Sequence, residues 1–295
     1  MICVQLNGGL GNQMFQYAFG RAMAFKLQTD LLFDTSPLLN NKTVFTNRSL
    51  ELGIFKIKIQ EASITDIKRL KTIFYRIVNT LAFKAGFQGI QTSKYFIEKN
   101  FSYNESIDKI GKDCYLNGYW QSYKYFQNIE SIIREEFKFP PILEMGNKDT
   151  IVKIENGNSI SLHIRRTDFV NNKNHDIHGT CSIKYYQEAA ENIANRVSDP
   201  VFFIFSDDIE WVRTNLNLNY PCEFVSGNNS DKSYIDMQLM SLCKHNIIAN
   251  SSFSWWGAWL NANPNKIVIA PLQWFADETM NAQTYDLIPS NWIKI

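Results

Sequence analysis

The chain has 295 residues, of which 45% are hydrophobic and 20% are charged, so it can bury a substantial core and form two domains or one large one. Lysine and arginine number 30 against 29 aspartate and glutamate residues, and this near-neutral balance gives no reason to expect nucleic-acid binding. The five cysteines include no C-x-x-C spacing, which argues against a disulfide framework or a zinc site and favours a reducing compartment.

The first elements form a β-α-β unit. Residues 2–6 are an apolar run that ends in Asn-Gly-Gly, which predicts a buried strand followed by a tight loop. After Gly11, apolar residues recur at helical spacing as far as Met23, and residues 30–35 are predicted to form a second strand. The order strand, helix, strand is typical of an α/β domain.

Residues 60–90 have a helical pattern that carries several lysines and arginines. Two interpretations stay open: a helix with a solvated basic face, or weak attachment to an anionic membrane surface. The N-terminal residues turn polar too soon for a signal peptide, and no apolar run is long enough to span a bilayer. We therefore predict a cytoplasmic protein with at most peripheral membrane contact.

A break in the pattern near Pro140 suggests a domain boundary. Before it, residues 114–121 are predicted as a strand and residues 128–137 as a short helix. The run P-P-I-L-E-M-G-N-K-D that begins at Pro140 has no regular periodicity. We place an N-terminal α/β domain at residues 1–150 and a C-terminal domain at residues 151–295.

The second half alternates apolar strands with helices. Five strands are predicted at residues 159–164, 201–206, 222–226, 245–250 and 266–270. Helices are predicted between them, at residues 182–196, 208–216, 233–243 and 253–261. This alternation predicts a parallel sheet with helices on both faces, in which ligands bind beyond the carboxyl ends of the strands.

Polar residues collect at those strand ends. They are His163, Arg165, Arg166 and Asp168 after the first strand, Ser206, Asp207 and Asp208 after the second, and Ser251, Ser252, Phe253 and Ser254 after the fourth. Arginine side chains suit phosphate oxygens, and a helix that begins at S-S-F-S offers hydroxyls and backbone N–H groups to an anion. This combination favours a phosphate site over a purely structural ion pair at the sheet edge.

Asp207 and Asp208 raise the question of a metal site. The D-x-D motif of metal-diphosphate sites is absent from the whole sequence. Asp208 suits the N-cap of the following helix, and Asp207 suits a contact with a base or ribose. We favour a cap plus a nucleotide contact, and we expect no metal.

The loop N-G-G-L-G-N-Q at residues 7–13 joins the first strand to the first helix. Its glycines allow a backbone to approach a ligand closely, but the spacing matches neither G-x-G-x-x-G nor the Walker A loop. Two interpretations of the glycines remain: plain turn chemistry, or close approach to a ligand. Asn12 and Gln13 at the helix start either cap the helix or face a cleft between domains.

The histidines give a weaker signal. A lone histidine on a strand, such as His163, is usually a satisfied core residue. The stretch at residues 173–181 contains Asp176 and His178, and it is either a plain polar loop or a lid over the site.

Six motifs in chain order make the sequence resemble the bacterial α-1,2-fucosyltransferases. They are G-G-L-G-N-Q-M-F-Q-Y-A (8–18), N-G-Y-W-Q-S (117–122), H-I-R-R-T-D (163–168), H-G-T-C-S (178–182), F-S-D-D (205–208) and S-S-F-S-W-W-G-A-W-L (251–260). The resemblance runs from residue 2 to about residue 274. It is weakest at residues 40–110, where we expect the choice of acceptor to be made.

The resemblance implies a GT-B-like α/β fold, in which two Rossmann-type domains have parallel sheets that face an interdomain cleft. It implies that the N-terminal domain takes the acceptor and the C-terminal domain binds GDP-β-L-fucose. Fucose would pass with inversion to the 2-hydroxyl of a galactose-type residue, without a metal or cofactor. The implied acceptor is a galactose-containing glycan, lipid-linked during synthesis of O-antigen or another surface polysaccharide, at the cytoplasmic face of the inner membrane.

Roles for individual residues also follow from the resemblance. Arg165 and Arg166 would neutralise the diphosphate, with His163 and Asp168 orienting them. The donor-binding residues would be Gly11, Asn12, Ser206, Asp207, Asp208, Ser251, Ser252, Phe253 and Ser254. The acceptor proton would pass to Asp168, Asp176 or His178, or to no specific base if the transition state is highly dissociative.

Two rival functions remain open. One is a nucleotide-sugar-binding protein that has kept the fold and lost activity, although the intact R-R and S-S-F-S-W-W elements argue against it. The other is a fucosyltransferase of α-1,3 or α-1,6 regiochemistry, which shares the arginines but not the full set of motifs. The sequence does not identify the acceptor glycan or the oligomeric state.

Overall fold

The computed structural model describes residues 1–39, 49–71, 94–166, 179–228 and 232–295. This part of the chain forms two compact units that do not divide at a single point. The first unit comprises Met1–Lys138 and Tyr285–Leu287, and the second comprises Phe139–Thr284 and Ile288–Ile295.

The first unit is built on a parallel β-sheet. Its strands are β1 (Ile2–Gln5), β2 (Leu31–Asp34), β3 (Tyr95–Ile97) and β4 (Cys114–Asn117), in the spatial order β2-β1-β4-β3. Its helices are α1 (Leu10–Leu27), α2 (Ser36–Leu39), α3 (Ile64–Leu70) and α4 (Glu130–Glu136). Short 3₁₀ turns occur at Leu52–Ile54, Glu105–Lys109, Tyr123–Tyr125 and Gln127–Ile129. The β-α-β unit expected at the start of the chain is confirmed.

Helix α1 packs closely on the strand before it. A Cβ atom at Gly20 would lie 2.4 Å from Cγ2 of Val4, so only glycine fits at this crossing. On the same helix Phe15 and Phe19 are almost fully buried, and the Phe19 ring centroid is 4.4 Å from that of Trp120. This packing fixes the first turn of α1 at the carboxyl edge of the sheet.

A segment from far along the chain completes the first unit. The backbone N–H of Tyr103 donates to Oδ2 of Asp286 at 2.9 Å, and the Ser122 hydroxyl donates to the Asp286 carbonyl at 3.2 Å. The Lys124 ammonium lies 3.6 Å from the same carboxylate. These contacts explain why residues 285–287 belong with the first unit.

The second unit contains the predicted Rossmann-like sheet. Its strands are β5 (Asn158–Ile164), β6 (Pro200–Ser206), β7 (Cys222–Phe224), β8 (His245–Ile247), β9 (Val268–Ala270) and β10 (Ile293–Lys294). Their order is β10-β9-β8-β5-β6-β7, and every pairing is parallel. Its helices are α5 (Met145–Asn156), α6 (Ile183–Ala194), α7 (Ile209–Asn215), α8 (Ser233–Leu242), α9 (Ser252–Leu260) and α10 (Glu278–Asn281). The five strands and four helices expected from the sequence are all present.

Apolar side chains cover both faces of the second sheet. Phe202 and Ile204 of β6 belong to one buried cluster, whereas Phe203 and Phe205 belong to another. This division follows from the pleat of the strand, which points successive side chains to opposite faces. Because both faces are covered, a polar ligand meets this sheet at its edge.

The division between the units differs from the predicted one. Residue 150 falls inside α5, and Ile154 of that helix is fully buried in the core of the second unit. Only Asn147 and Ile154 of α5 are buried, so most of the helix faces water and its sequence shows little periodicity.

The basic segment predicted at residues 60–90 is described only in part. Helix α3 covers its first turns, and the hydroxyl of Ser63 caps that helix by accepting the Asp66 N–H at 3.0 Å. Residues 72–93 lie outside the described residues, so attachment to a membrane surface stays a prediction. In the part of the chain that the structure describes, no helix is both long enough and apolar enough to cross a membrane.

Candidate active site

The candidate site lies where the strand order of the second sheet changes direction. Strand β5 has β6 on one side and β8 on the other, so the segments after β5 and β8 leave the sheet at the same edge. The two segments are in contact, because the ring centroids of His163 and Phe253 are 5.8 Å apart. The arginines and the S-S-F-S helix are thus neighbours.

Arg165 is fixed by an ion pair. Its Nη1 lies 3.2 Å from Oδ2 of Asp207, which lies just beyond the end of the neighbouring strand β6. Both side chains are partly shielded from water, with 23% of Arg165 and 17% of Asp207 exposed. The other carboxylate oxygen of Asp207 accepts the backbone N–H of Arg166 at 2.9 Å. Asp207 therefore holds the segment after β5 against the end of β6.

Arg166 is fixed by stacking as well as by charge. Its guanidinium lies 3.6 Å from the ring centroid of Trp211, and its Nε lies 3.4 Å from Oδ2 of Asp208. A guanidinium over an indole gains cation–π energy, and its plane is held in one orientation. Each of the two adjacent arginines thus has its own acid and a defined direction.

Asp208 caps helix α7, as the sequence indicated. Its carboxylate accepts the backbone N–H of Trp211 at 3.4 Å, and the Ser206 hydroxyl accepts the backbone N–H of Asp208 at 3.0 Å. The cap also orders the indole on which Arg166 stacks. In this structure Ser206, Asp207 and Asp208 hold the arginines, and a contact from them to a base or ribose stays a prediction.

His163 precedes the arginines and is buried. Its Nδ1 has no hydrogen-bond partner among the described residues. Burial and the charge of Arg165 lower the pKa of His163 to about 3, although the charge of Asp207 acts in the opposite direction. The imidazole is therefore neutral at physiological pH, and it supports the arginine segment by packing on Phe253.

Helix α9 begins at the site. Ser251 is its N-cap, and the Ser251 hydroxyl accepts the backbone N–H of Phe253 at 3.3 Å. Ser252 and Phe253 are partly exposed, whereas Ser254 is buried and donates its hydroxyl to the Ser251 carbonyl at 3.3 Å. The Ser254 hydroxyl is already engaged, so an anion at this helix start meets the backbone N–H groups and the positive end of the helix dipole.

The far end of α9 is capped by a lysine. The Lys266 ammonium donates to the backbone carbonyls of Ala258 at 2.7 Å, Trp259 at 3.2 Å and Asn261 at 2.7 Å. Carbonyls in the last turn of a helix have no partner within the helix, so an outside donor stabilises them. Trp255 is fully buried between the two ends, and α9 is thereby held along its whole length.

A pocket of about 270 Å³ opens next to the start of α9 and includes Thr180 and Gln273 in its wall. Asn250, three residues after β8, fixes this wall. Its Nδ2 donates to the carbonyls of Gly179 at 3.2 Å and Trp274 at 3.1 Å. Asn250 thus joins three segments of the second unit at the edge that carries the arginines.

Asp168, Asp176 and His178 lie outside the described residues. Their roles as base, lid or arginine partner therefore stay predictions. Asp207 and Asp208 are the acids that pair with the arginines in the described part of the chain.

The glycine loop of the first unit is held by side-chain amides. Gly8 has a φ of 74°, and a Cβ atom there would lie 2.5 Å from Nδ2 of Asn12. Gln13 donates to the Gly8 carbonyl at 2.8 Å, and Gln121 donates to Oδ1 of Asn12 at 2.8 Å. Gly11 is buried in the first turn of α1. Contacts from Gly11 and Asn12 to the donor stay predictions.

Three residues that organise these sites were not singled out in the sequence. Trp211 lies three residues after the helix N-cap Asp208, and this position could have identified it from the sequence. Gln121 follows Trp120, whose positive φ of 57° leaves no mark in a hydrophobicity pattern. Lys266 reaches the end of α9 from six residues beyond it, and no local pattern distinguishes it from a surface lysine.

Comparison with solved structures supports the GT-B-like α/β fold with two parallel sheets. A mutant of Arabidopsis thaliana FUT1, solved in complex with GDP, superposes with a TM-score of 0.50 at 11% sequence identity. The match covers 90% of this chain and 69% of that structure. At this identity the likeness concerns the fold alone.

Some curated relatives match over almost the full length, and others over about half of it. An Escherichia coli alpha-1,2-colitosyltransferase is 34% identical, and the match covers 100% of this chain and 99% of the relative. The O-antigen biosynthesis glycosyltransferase WbnK of Escherichia coli is 36% identical, over 98% of this chain and 99% of the relative. The galactoside alpha-(1,2)-fucosyltransferase 1 of Leontocebus fuscicollis is 26% identical over 49% of this chain and 42% of that protein. The family model described as glycosyl transferase family 11 matches residues 1–295, and the chain belongs to that family.

Proposed function

We propose that this glycosyltransferase moves L-fucose from GDP-β-L-fucose to the 2-hydroxyl of a galactose-type residue, with inversion and without a metal ion. The observation that carries the proposal is the pair of ion-paired arginines next to the start of α9. Arg165 and Arg166 together bring two fixed positive charges to a helix N-terminus, which is an arrangement suited to a diphosphate.

The chemistry needs negative charge to be stabilised on the leaving group. As the bond between C1 of the sugar and the β-phosphate oxygen breaks, positive charge grows on the sugar and negative charge grows on the phosphate. Preorganised donors stabilise that charge because they need no rearrangement during the reaction. The arginines, the backbone N–H groups of the first turn of α9 and Ser252 would do this in the place of a metal ion.

The two arginines have different parts in this scheme. Arg166 is stacked on Trp211 and paired with Asp208, so its orientation is strongly constrained. Arg165 has an acid partner in Asp207 and remains about as exposed as Arg166. We assign Arg165 the larger share of diphosphate neutralisation, and Arg166 the task of fixing the segment and adding charge.

The proposed α-1,2 linkage and class of acceptor rest on relatives. An α-1,2 regiochemistry is named for the Escherichia coli colitosyltransferase and for the mammalian galactoside fucosyltransferase. Synthesis of O-antigen is named for WbnK. We propose a galactose-containing, lipid-linked acceptor, handled at the cytoplasmic face of the inner membrane, with the first unit on the acceptor side and the second binding the donor.

A second donor has a specific observation in its favour. The colitosyltransferase matches the entire chain, and colitose differs from fucose only in lacking the 3-hydroxyl. Discrimination between such donors depends on whether the site has a polar group that pairs with that hydroxyl. GDP-colitose is therefore the alternative donor to test beside GDP-fucose.

The test is GDP release from GDP-fucose and, in parallel, from GDP-colitose, with EDTA present, across a panel of β-galactosides. We expect acceptor-dependent release that survives EDTA and falls by about a hundredfold or more in Arg165→Ala. Arg196→Ala is the matched control, since Arg196 is exposed and follows α6 just before β6 begins, at the opposite edge of the sheet. Linkage analysis of the product by NMR checks the α-1,2 regiochemistry.

Each contrary outcome points elsewhere. Release that requires a divalent cation would overturn the metal-free scheme and return attention to Asp207 and Asp208. Tight binding of GDP-fucose with no release for any acceptor would favour an inactive nucleotide-sugar-binding protein. Preference for GDP-colitose would correct the donor while leaving the arginine chemistry in place.

A further inference from the structure

The turn that follows β4 has a strained backbone. Trp120 has a φ of 57°, in the left-handed region that a bulky side chain rarely adopts. Its ring is fully buried, with centroid distances of 4.4 Å to Phe19 and 5.7 Å to Tyr125. Backbone strain of this kind persists only where the surroundings enforce it, and it concentrates at ligand sites.

Glu98 enforces the turn. Its Oε2 accepts the backbone N–H of Tyr119 at 2.6 Å, and its Oε1 accepts the backbone N–H of Trp120 at 2.9 Å. A Cβ atom at Gly118 would lie 2.3 Å from Cβ of Glu98, so only glycine allows the carboxylate to approach this closely. Gln16 holds the turn from the other side by donating to the Gly118 carbonyl at 3.1 Å.

The clamped turn leaves one aromatic ring facing water. Tyr119 is 37% exposed, although it adjoins the fully buried Trp120. Its ring is within 9° of parallel to the ring of Phe101, and the two centroids are 6.3 Å apart. The two rings stack in parallel and Tyr119 is exposed to water, and we call this pair the aromatic shelf (Phe101 and Tyr119).

Hydrogen-bonding groups follow the aromatic shelf in the same turn. Gln121 lies two residues beyond Tyr119 and donates to Asn12, whose side chain remains partly exposed. These residues leave the sheet at its carboxyl edge, where parallel sheets bind their ligands. A pyranose ring has an apolar face of C–H groups and a rim of hydroxyls, and the shelf presents an exposed aromatic ring to the former, with the partly exposed polar side chain of Asn12 in the same unit.

We propose that the aromatic shelf binds a pyranose ring of the acceptor glycan, with Tyr119 as the principal binding residue and Glu98 as its positioning residue. This rests on the proposed function, since a glycosyl transfer needs a site for an acceptor sugar. The shelf gives the first unit an acceptor site made entirely of its own residues. The donor residues of the second unit take no part in it.

Steady-state kinetics with Tyr119→Ala test the shelf, using the acceptor that gives the highest rate. The KM for the acceptor should rise about tenfold, while the KM for the nucleotide-sugar donor stays near the wild-type value. Tyr119→Trp keeps a flat ring and should retain the acceptor KM. Phe25→Ala is the matched control, since Phe25 is an exposed ring at the other end of α1. An unchanged acceptor KM in Tyr119→Ala would overturn the shelf and leave the proposed function standing.

A binding measurement separates the shelf from the choice of donor. Saturation-transfer NMR with methyl β-D-galactopyranoside needs no donor and no turnover. A signal with the wild type that is lost in Tyr119→Ala would support the shelf even if fucose is never transferred and the proposed function fails. Absence of a signal with the wild type at millimolar galactoside would overturn it.

Glu98→Gln tests the positioning role. The change replaces one accepting oxygen with an NH₂ group, so one of the two backbone N–H groups loses its acceptor. The acceptor KM should rise in the same direction as in Tyr119→Ala, with little effect on the donor KM. A fall in kcat with an unchanged acceptor KM would show that Glu98 does not act through Tyr119.

Discussion

Replacing Lys266 by methionine removes the cap at the far end of α9 and little else. Methionine keeps the length and the apolar stem of the side chain, and it cannot donate to a carbonyl. The change removes the ammonium group that donates to the carbonyls of Ala258 and Asn261 at 2.7 Å and to the carbonyl of Trp259 at 3.2 Å. We expect the second unit to lose stability while its fold is retained.

The magnitude can be worked from these contacts. A hydrogen bond to a charged group contributes a net 1.5–3 kcal/mol, roughly, and a cation at a helix C-terminus adds about 0.3–1 kcal/mol. Lys266 is partly exposed, so water takes over some of the lost contacts. We therefore expect Lys266→Met to lower the free energy of unfolding of the second unit by about 3 kcal/mol.

Urea unfolding followed by tryptophan fluorescence is a suitable assay, because Trp255, Trp256 and Trp259 all lie on α9. The midpoint should fall while the slope of the transition stays constant. Lys184→Met is the control, since the Lys184 side chain is 81% exposed and pairs with Glu188 on its own helix. It should change stability by about 0.5 kcal/mol or less. A wild-type midpoint for Lys266→Met would refute the cap.

Three further predictions concern buried or stacked groups. Burial alone would raise the pKa of Asp34, but hydrogen bonds from Ser36 and Tyr115 and the charge of Lys71 lower it. The ionised Asp34 carboxylate therefore stabilises the fold, and this stabilisation is lost as pH falls. Asp34→Asn should lower the free energy of unfolding by about 3 kcal/mol in urea titrations at neutral pH. Burial raises the pKa of Glu98 to about 7, although the hydrogen bonds from two backbone N–H groups act in the opposite direction. The folded state therefore binds the Glu98 proton more tightly than the unfolded state does. Stability should then fall as pH rises from about 4.5 to 7, and thermal melts of Glu98→Gln should lack that fall. Trp211→Leu should weaken GDP binding by about fivefold in calorimetric titrations, because Arg166 loses its cation–π partner, whereas Trp211→Phe should retain most of the affinity.

Strands β5 and β6 of the second sheet could be predicted because their apolar residues follow the patterns typical of strands. Both faces of β6 are covered, and its side chains from Pro200 to Phe205 are all apolar. In β5 the apolar residues Ile160, Leu162 and Ile164 alternate with polar ones. The strand prediction also placed the arginines, the Asp208 cap and the start of α9 together, because the residues that follow parallel strands lie at the same edge of the sheet. The same reasoning correctly identified the β-α-β unit at residues 2–35.

The remaining elements leave little mark in the sequence. Strands β3 and β10 have three and two residues, too few for a period to show. Helix α5 begins in a stretch that lacks periodicity because most of its side chains face water. The partners of a side chain are also set by packing between distant segments. Glu98 reaches a turn more than 20 residues ahead, and nothing near it in the sequence marks that carboxylate as a clamp.

The return of residues 285–287 to the first unit has a consequence for how the chain acquires its structure during synthesis. Domains commonly fold in order as they leave the ribosome. Here the first unit lacks the Asp286 contacts with Tyr103, Ser122 and Lys124 until almost the whole of the second unit has been translated. A nascent chain that has emerged only as far as residue 284 therefore holds an unfinished N-terminal unit, exposed to proteases and chaperones for the time that translation of the second unit takes.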